Sequence, residues 1–174
     1  MKSLLVERIL ATERLGKSGF LEARGRVYTF LNPVSYLDAL EQKELFGQFD
    51  GIFADGPLLV SAIRMCYGKT VSRRSFDMTS LAPELMEYAC KEGKSIYIVA
   101  SAQEQVENAV EIFQERYKGI TIIGYRNGYF ADEEEREVEA RHIVKKVKSV
   151  IFQFGLMSVK RGILGVNDCL HFMI

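Results

Sequence analysis

The sequence predicts an α/β fold: a Rossmann-like open sandwich with a mostly parallel sheet and helices on both faces. From residue 26 onward, short apolar runs alternate with amphipathic stretches of helical period. The intervening stretches are too long for hairpin turns and long enough for crossover helices. Right-handed crossovers then distribute the helices over both faces of an open sheet. A composition of 48% hydrophobic and 26% charged residues suits such a core and excludes wholesale disorder.

Taken in order, Val27-Tyr28-Thr29-Phe30-Leu31 reads as a strand ended by Asn32-Pro33. Pro33 opens a helix to about Phe46, with Val34, Leu37, Leu40 and Leu45 as its expected apolar face. Gly51-Ile52-Phe53-Ala54 is a short strand running into Asp55-Gly56-Pro57, and Leu58 to Tyr67 is an apolar helix capped by Gly68. Residues 69–78 read as a loop. A helix near residues 80–92 follows, carrying Leu81, Leu85, Met86 and Ala89 and stopped by Gly93. Ser95 to Ala100 is the clearest strand, and Ser101-Ala102-Gln103-Glu104 has the form of a capping box. The helix behind it sets Val106, Val110, Phe113 and Tyr117 on one face. Ile120 to Gly124 is the next strand. Asp132 to Glu135 opens a helix that ends in Lys145, Lys146 and Lys148, a charge order that complements the helix dipole. Val150 to Gly155 is the last predicted strand.

The 174 residues suit a single domain. Within it, residues 1–25 read as an N-terminal extension, 26–150 as the core and 151–174 as a divergent C-terminus. The extension carries Glu7, Arg8, Glu13 and Arg14 and has no apolar run fit for a signal peptide or membrane span, so a cytoplasmic location is expected. Lys plus Arg equals Asp plus Glu at 23 each, which argues against a nucleic-acid partner. Cys66, Cys90 and Cys169 have no CxxC spacing and are expected to be small buried hydrophobes. With His142 and His171 as the only histidines, most metal sites and Ser-His-Asp arrangements drop out. Neither GxGxxG nor GxxxxGK[ST] occurs.

In open parallel sheets, ligands bind beyond the carboxyl ends of the strands. Asp55 stands at such an end, followed by glycine; it is either a general base or sugar ligand, or an N-cap for the helix at Pro57. Ser101 is either a cap or part of an anion-binding helix terminus. Gly124-Tyr125-Arg126-Asn127-Gly128-Tyr129-Phe130 combines a turn signal with aromatics able to flank a base or sugar, or to anchor the turn on the core. Arg73 and Arg74 suit a diphosphate clamp.

Several of these segments, in order, resemble the WecG/TagA/CpsF family of bacterial glycosyltransferases: Phe30-Leu31-Asn32-Pro33 with Ser35-Tyr36, Phe53-Ala54-Asp55-Gly56, Arg74 to Leu81, Ser95 to Val99, and Ile123 to Phe130. The resemblance covers roughly residues 26–150. It implies transfer of an N-acetylmannosamine-type or related sugar from a UDP donor to a polyprenyl-diphosphate-linked saccharide, in cell-envelope or exopolysaccharide synthesis. It further implies inversion at the sugar, no metal or other cofactor, and peripheral contact with the inner face of the membrane. By the same resemblance Asp55 is the general base. Asn32, Gly56, Arg74, Ser101, Gly124, Tyr125, Asn127 and Gly128 are the substrate-binding candidates.

The chain also departs from the family. Phe30 stands where some relatives have Thr, and Ser101-Ala102-Gln103-Glu104 where many have small, Gly-rich residues. Relatives continue past the last strand with a Gly-x-Pro-x-Gln-Glu segment, further elements and a basic tail. Here Phe154 to Arg161 lacks that motif, and the chain ends thirteen residues later. The expectation is a truncated or divergent short member that lacks part of the nucleotide site and is impaired in activity. The rival reading is a non-catalytic α/β nucleotide-binding or interaction module that forms a homo-oligomer. A haloacid-type phosphatase is disfavoured because that chemistry wants a second Asp two residues after the first, where this chain has Pro57.

Overall fold

Alternation within the strands sends successive side chains to opposite faces, and both faces here are apolar, as a doubly covered parallel sheet requires. The computed structural model describes residues 3–16, 19–22, 26–146, 150–153 and 170–173. Its elements are α1 (Leu4–Glu13), α2 (Gly19–Glu22), β1 (Arg26–Leu31), α3 (Pro33–Glu41), α4 (Lys43–Phe46), β2 (Gly51–Ala54) and α5 (Pro57–Tyr67). They continue with α6 (Leu81–Lys91), β3 (Ser95–Val99), α7 (Gln103–Arg116), β4 (Thr121–Arg126), α8 (Glu133–Lys146), β5 (Val150–Gln153) and β6 (Leu170–Met173). The strands form one parallel sheet in the order β2-β1-β6-β5-β3-β4. The predicted fold class holds.

One sheet face presents Tyr28, Phe30, Phe53, Ile96 and Ile98 to α6 and α7, whose Leu85, Met86, Val106, Val110 and Phe113 complete that core. The other face presents Val27, Leu31, Ile52 and Ala54 to α1 and α5, through Leu5, Val6, Ile9, Leu59 and Ile63. On that second face Tyr97 and Val99 pack against Ile143 of α8. Helices therefore lie on both faces, as expected.

Ahead of Arg26, α1 is built into the domain. Its Leu5, Val6 and Ile9 are almost fully buried. Thr12 Oγ1 accepts the buried Ile52 N–H at 2.9 Å and donates to Arg8 O at 2.8 Å. β2 is an edge strand, so its outward backbone groups need partners. Thr12 satisfies one of them. The Arg74 N–H satisfies another by donating to Ala54 O at 2.9 Å.

Four local expectations are corrected. The helix opened by Pro33 ends at Glu41, and after Gln42 the short α4 runs in its place. α3 turns Ala39, Tyr36 and Leu40 inward, which leaves Val34 at 71% and Leu37 at 64% exposure, off the core they were expected to face. Cys66 is exposed and Cys90 half-buried, because Cys66, although on the face of Leu59 and Ile63, lines an open groove. The strand predicted to end at Gly124 runs to Arg126. Gly124 is therefore an interior strand residue. A Cβ there would lie 2.5 Å from the Tyr97 ring, so close packing explains the glycine. The predicted residues of the C-terminal segment fall largely outside the described residues, apart from the strands β5 and β6.

Candidate active site

The register Leu31↔Ala54 carries Asn32 and Asp55 side by side beyond the ends of β1 and β2, and Asp55 N–H extends the ladder by donating to Leu31 O at 2.8 Å. The helices starting behind them differ in how they are capped. Asn32 caps α3: its Oδ1 accepts from the N–H groups of Val34 and Ser35, each at 2.9 Å, and Ser35 Oγ accepts the Asn32 N–H at 2.9 Å. This reciprocal capping box consumes the Asn32 carbonyl oxygen and leaves its amide NH2 as the group able to meet a ligand.

Asp55 does not cap α5. The N-cap is Gly56, at φ +88°, with Pro57 in the first turn and no side-chain cap bond. Of the two sequence readings, the capping one is therefore excluded, and the Asp55 carboxylate is free of helix duty. Glycine is required at position 56 by its backbone, and a Cβ there would meet nothing within 4 Å. The Gly56 backbone consequently borders open space at the mouth of the crevice.

The segment after α5 supplies the surroundings of Asp55. Docked on the edge of β2 through the Arg74 N–H, it sends alternate side chains to opposite sides. Arg74 turns inward: it is 8% exposed, donates to Gly16 O at 3.0 Å and lies 5.7 Å over the Phe53 ring. Arg73 turns to the crevice, where its Nη2 is 3.9 Å from Asp55 Oδ1, 2.8 Å from Asp77 Oδ2 and 2.7 Å from Ser75 Oγ. The two arginines expected to clamp together thus diverge. Ser75 Oγ also makes a short hydrogen bond with Asp77 Oδ2. Thr79 donates its N–H and its hydroxyl to Asp77 Oδ1 at 2.8 and 2.7 Å.

The electrostatics follow from these contacts. Burial holds the Asp55 carboxyl above the usual range; the Asp77 charge adds to this, and Arg73 opposes it. Asp77 is held well below that range, chiefly by the Ser75 and Thr79 hydrogen bonds. Two carboxylates in one crevice are thereby driven apart in proton affinity, an arrangement typical of acid–base sites.

The remaining predicted residues gather at the far edge of the sheet, on β3 and β4. Ser101 adopts φ +43° and is not the cap of α7: Ala102 holds that position, and Gln105 Oε1 takes both the Ser101 hydroxyl and the Ala102 N–H. Gly128 N–H donates to Ser101 O at 2.9 Å and Asn127 N–H to Gln103 Oε1 at 3.2 Å, so Ser101, Asn127 and Gly128 share one knitted pair of loops. Tyr125 is 40% exposed on β4. Arg126 shapes the loop. It donates to Asn127 O and Tyr129 O at 3.1 Å, pairs with Glu135 at 3.2 Å and lies 4.1 Å over the Phe130 ring.

The structure thus brings the candidates into two groups: Asn32, Asp55 and Gly56 at β1–β2, and Ser101, Tyr125, Asn127 and Gly128 at β3–β4. Because β6 and β5 lie between, the groups stand about 14 Å apart at ~4.8 Å per strand step. Sequence reasoning missed Ser75 and Asp77 as partners of Asp55. The signal was present: Asp77-x-Thr79 is an Asx-turn pattern, which fixes a carboxylate. Among the described residues, no three His, Cys, Asp or Glu side chains converge as a metal site. No described helix is long and apolar enough to cross a membrane.

Beside Asn32 and Gly56, helices α3 and α5 with Val6 of α1 enclose an open groove of about 400 Å³, lined by Pro33, Tyr36, Leu58, Ala62 and Tyr67 among others. Leu58, at 72% exposure, and Met65, at 84%, extend apolar surface along α5.

Comparison with known proteins adds a lineage to this geometry. The profile of the glycosyl transferase WecG/TagA/CpsF family matches residues 8–155. A Shigella boydii protein named UDP-Gal:alpha-D-GlcNAc-diphosphoundecaprenol beta-1,4-galactosyltransferase is 31% identical over 129 residues. That match covers 74% of this chain and 54% of the Shigella protein, so the chain spans about half the length of its relative.

Proposed function

This chain belongs to the WecG/TagA/CpsF glycosyl transferase family, and on that premise we propose that it transfers a hexose from a UDP-sugar to a polyprenyl-diphosphate-linked saccharide, with Asp55 as the general base. The observation that carries the reading is the Asp55 carboxylate at the end of β2, released from capping by Gly56 and held at raised proton affinity in a crevice. The acceptor hydroxyl oxygen attacks the anomeric carbon of the donor while Asp55 takes its proton. The bond from that carbon to the diphosphate oxygen breaks, and UDP leaves with the electron pair. A single displacement of this kind inverts the anomeric centre. The β-1,4 linkage in the Shigella protein's name is the outcome inversion gives when the donor bond is α.

The roles of the other residues follow from position. Asn32, through its free amide NH2, and the Gly56 backbone contact the transferred sugar or the acceptor. Ser101, Tyr125, Asn127 and Gly128 hold the nucleotide at the far group, and the spacing of the two groups suits an extended donor. The N-terminal N–H groups of α5 and α7 favour the developing diphosphate charge. Arg74 and Gly124 act on the site from behind, as supports of the Asp55 segment and of β4. The apolar groove between α3 and α5 accepts the first isoprene units of the acceptor, in keeping with the lipid-linked acceptor in the relative's name. The membrane surface is thereby the place of action, approached from the cytoplasmic side.

The test is a transfer assay with the full chain, a polyprenyl-diphosphate N-acetylglucosamine acceptor and a panel of UDP-hexoses that includes UDP-galactose and UDP-N-acetylmannosamine. Transfer from one of these donors without added metal is the expected result. UDP binding by calorimetry with no transfer from any donor would leave a nucleotide-binding module and overturn the enzymatic reading.

A further inference from the structure

Two carboxylates and one guanidinium share the crevice at the end of β2, and the guanidinium is unequally divided. The same nitrogen, Arg73 Nη2, lies 2.8 Å from Asp77 Oδ2 and 3.9 Å from Asp55 Oδ1. Ser75, which is 4% exposed, stands between them: its Oγ accepts from Arg73 Nη2 at 2.7 Å and is in short contact with Asp77 Oδ2. A serine hydroxyl has one proton to give. Given to Asp77, that proton does not go fully to Asp55. Asp77 cannot swing away to release either group, because Thr79 holds its other oxygen through both N–H and hydroxyl. Asp77 therefore takes the closer ion pair and the short hydrogen bond to Ser75. Asp55 keeps the longer contact with Arg73, the Gly56 N–H and a weaker share of the Ser75 hydroxyl.

We propose that Asp77 is a positioning residue that draws Arg73 away from Asp55 and competes with it for the Ser75 hydroxyl, and so makes Asp55 the stronger base of the two carboxylates. Arg73 is correspondingly the partner that limits how far this goes. The direction of the Asp55 and Asp77 proton affinities, one raised and the other lowered, agrees with this division. The charged groups facing Asp55 are Arg73 and Asp77; Gly56 and Ser75 present neutral donors, and Asn32 on the neighbouring strand end is also neutral. The consequence for catalysis rests on the reading of Asp55 as the base, but the division of partners itself does not.

The arrangement makes opposite demands of two variants. Asp77→Asn removes a negative charge near Asp55 and frees Arg73 to pair with it, so both effects lower the Asp55 midpoint. Arg73→Gln removes the opposing positive charge and raises it. The experiment is a carbon-detected NMR titration of the Asp55 carboxyl in the full chain, assigned by loss of the signal in Asp55→Asn. Backbone spectra verify that each variant is folded. The expected result is a midpoint about one pH unit lower in Asp77→Asn and about one unit higher in Arg73→Gln. Unmoved midpoints, or shifts of the same sign, would overturn the proposal. If Asp77→Asn does not fold, a midpoint in Arg73→Gln that stays or falls is enough to overturn it. Because the readout needs no substrate, these shifts together with an absence of transfer would sink the enzymatic reading and leave the network standing. Transfer without the shifts would do the reverse.

Discussion

Replacing Thr12 with Val tests how the Asp55 strand is anchored. Thr12 is 2% exposed, and its Oγ1 takes the N–H of Ile52, a fully buried residue on the edge strand that leads into Asp55. Valine matches threonine in shape but leaves that N–H without an acceptor in a place where water does not reach. An orphaned buried donor costs about 1–3 kcal/mol. The lost donation to Arg8 O adds little, because that carbonyl sits within α1 and keeps its place in the helix. The expected loss is about 2 kcal/mol, which for a chain of this size is a fall in melting temperature of about 4–8 °C. Thr12→Ser keeps the hydroxyl and loses one methyl, a cost of about 1 kcal/mol. Urea denaturation of the three proteins measures both values. Equal stability of the Val variant and the natural protein would refute the docking of α1 on β2. A Ser variant as unstable as the Val variant would refute the hydrogen bond as its cause.

Other outcomes follow from single contacts. Asn32→Ala should cost about 1 kcal/mol through loss of the α3 cap, whereas Asn32→Asp keeps the cap and removes only the amide donor; thermal melts separate cap from ligand contact. Gly124→Ala puts a methyl 2.5 Å from the Tyr97 ring and should destabilise by about 1–3 kcal/mol, read by chemical denaturation. Asp55 has a raised carboxyl affinity in the fold, so the folded state binds its proton more tightly than the unfolded chain. Its stabilising contribution is present at low pH and is lost as pH rises through the folded value. Asp55→Asn should therefore melt at a higher temperature than the natural protein at neutral pH, with the difference vanishing towards pH 4; a lower melting temperature at neutral pH would contradict the account.

Much of the fold was legible because its elements obey local rules. The α5 helix announced both ends, with Pro57 inside its start and Gly68 in the left-handed conformation past its end. The Val106, Val110, Phe113 and Tyr117 stripe is buried as its spacing required. Other features depended on tertiary context. The Val34 and Leu37 stripe has helical spacing, but Ala39, with Tyr36 and Leu40, is what meets the core, and periodicity does not choose between adjacent stripes. α1 carries a legible Leu5, Val6 and Ile9 pattern, yet its value lies in Thr12 reaching Ile52 forty residues on. At the site, the strand ends were located by topology alone. That Asp55 is not a cap depended on Gly56 taking the cap position, and the opposite directions of Arg73 and Arg74 depended on the segment docking along β2.

Asp55 is the group proposed to remove the acceptor proton. Single-turnover transfer by the natural chain and by Asp55→Asn, with UDP affinity measured on both by calorimetry, tests this most directly. A fall in rate of about 10²–10⁴-fold with UDP affinity unchanged is the predicted result. An Asp55→Asn chain that transfers sugar as fast as the natural one would contradict it.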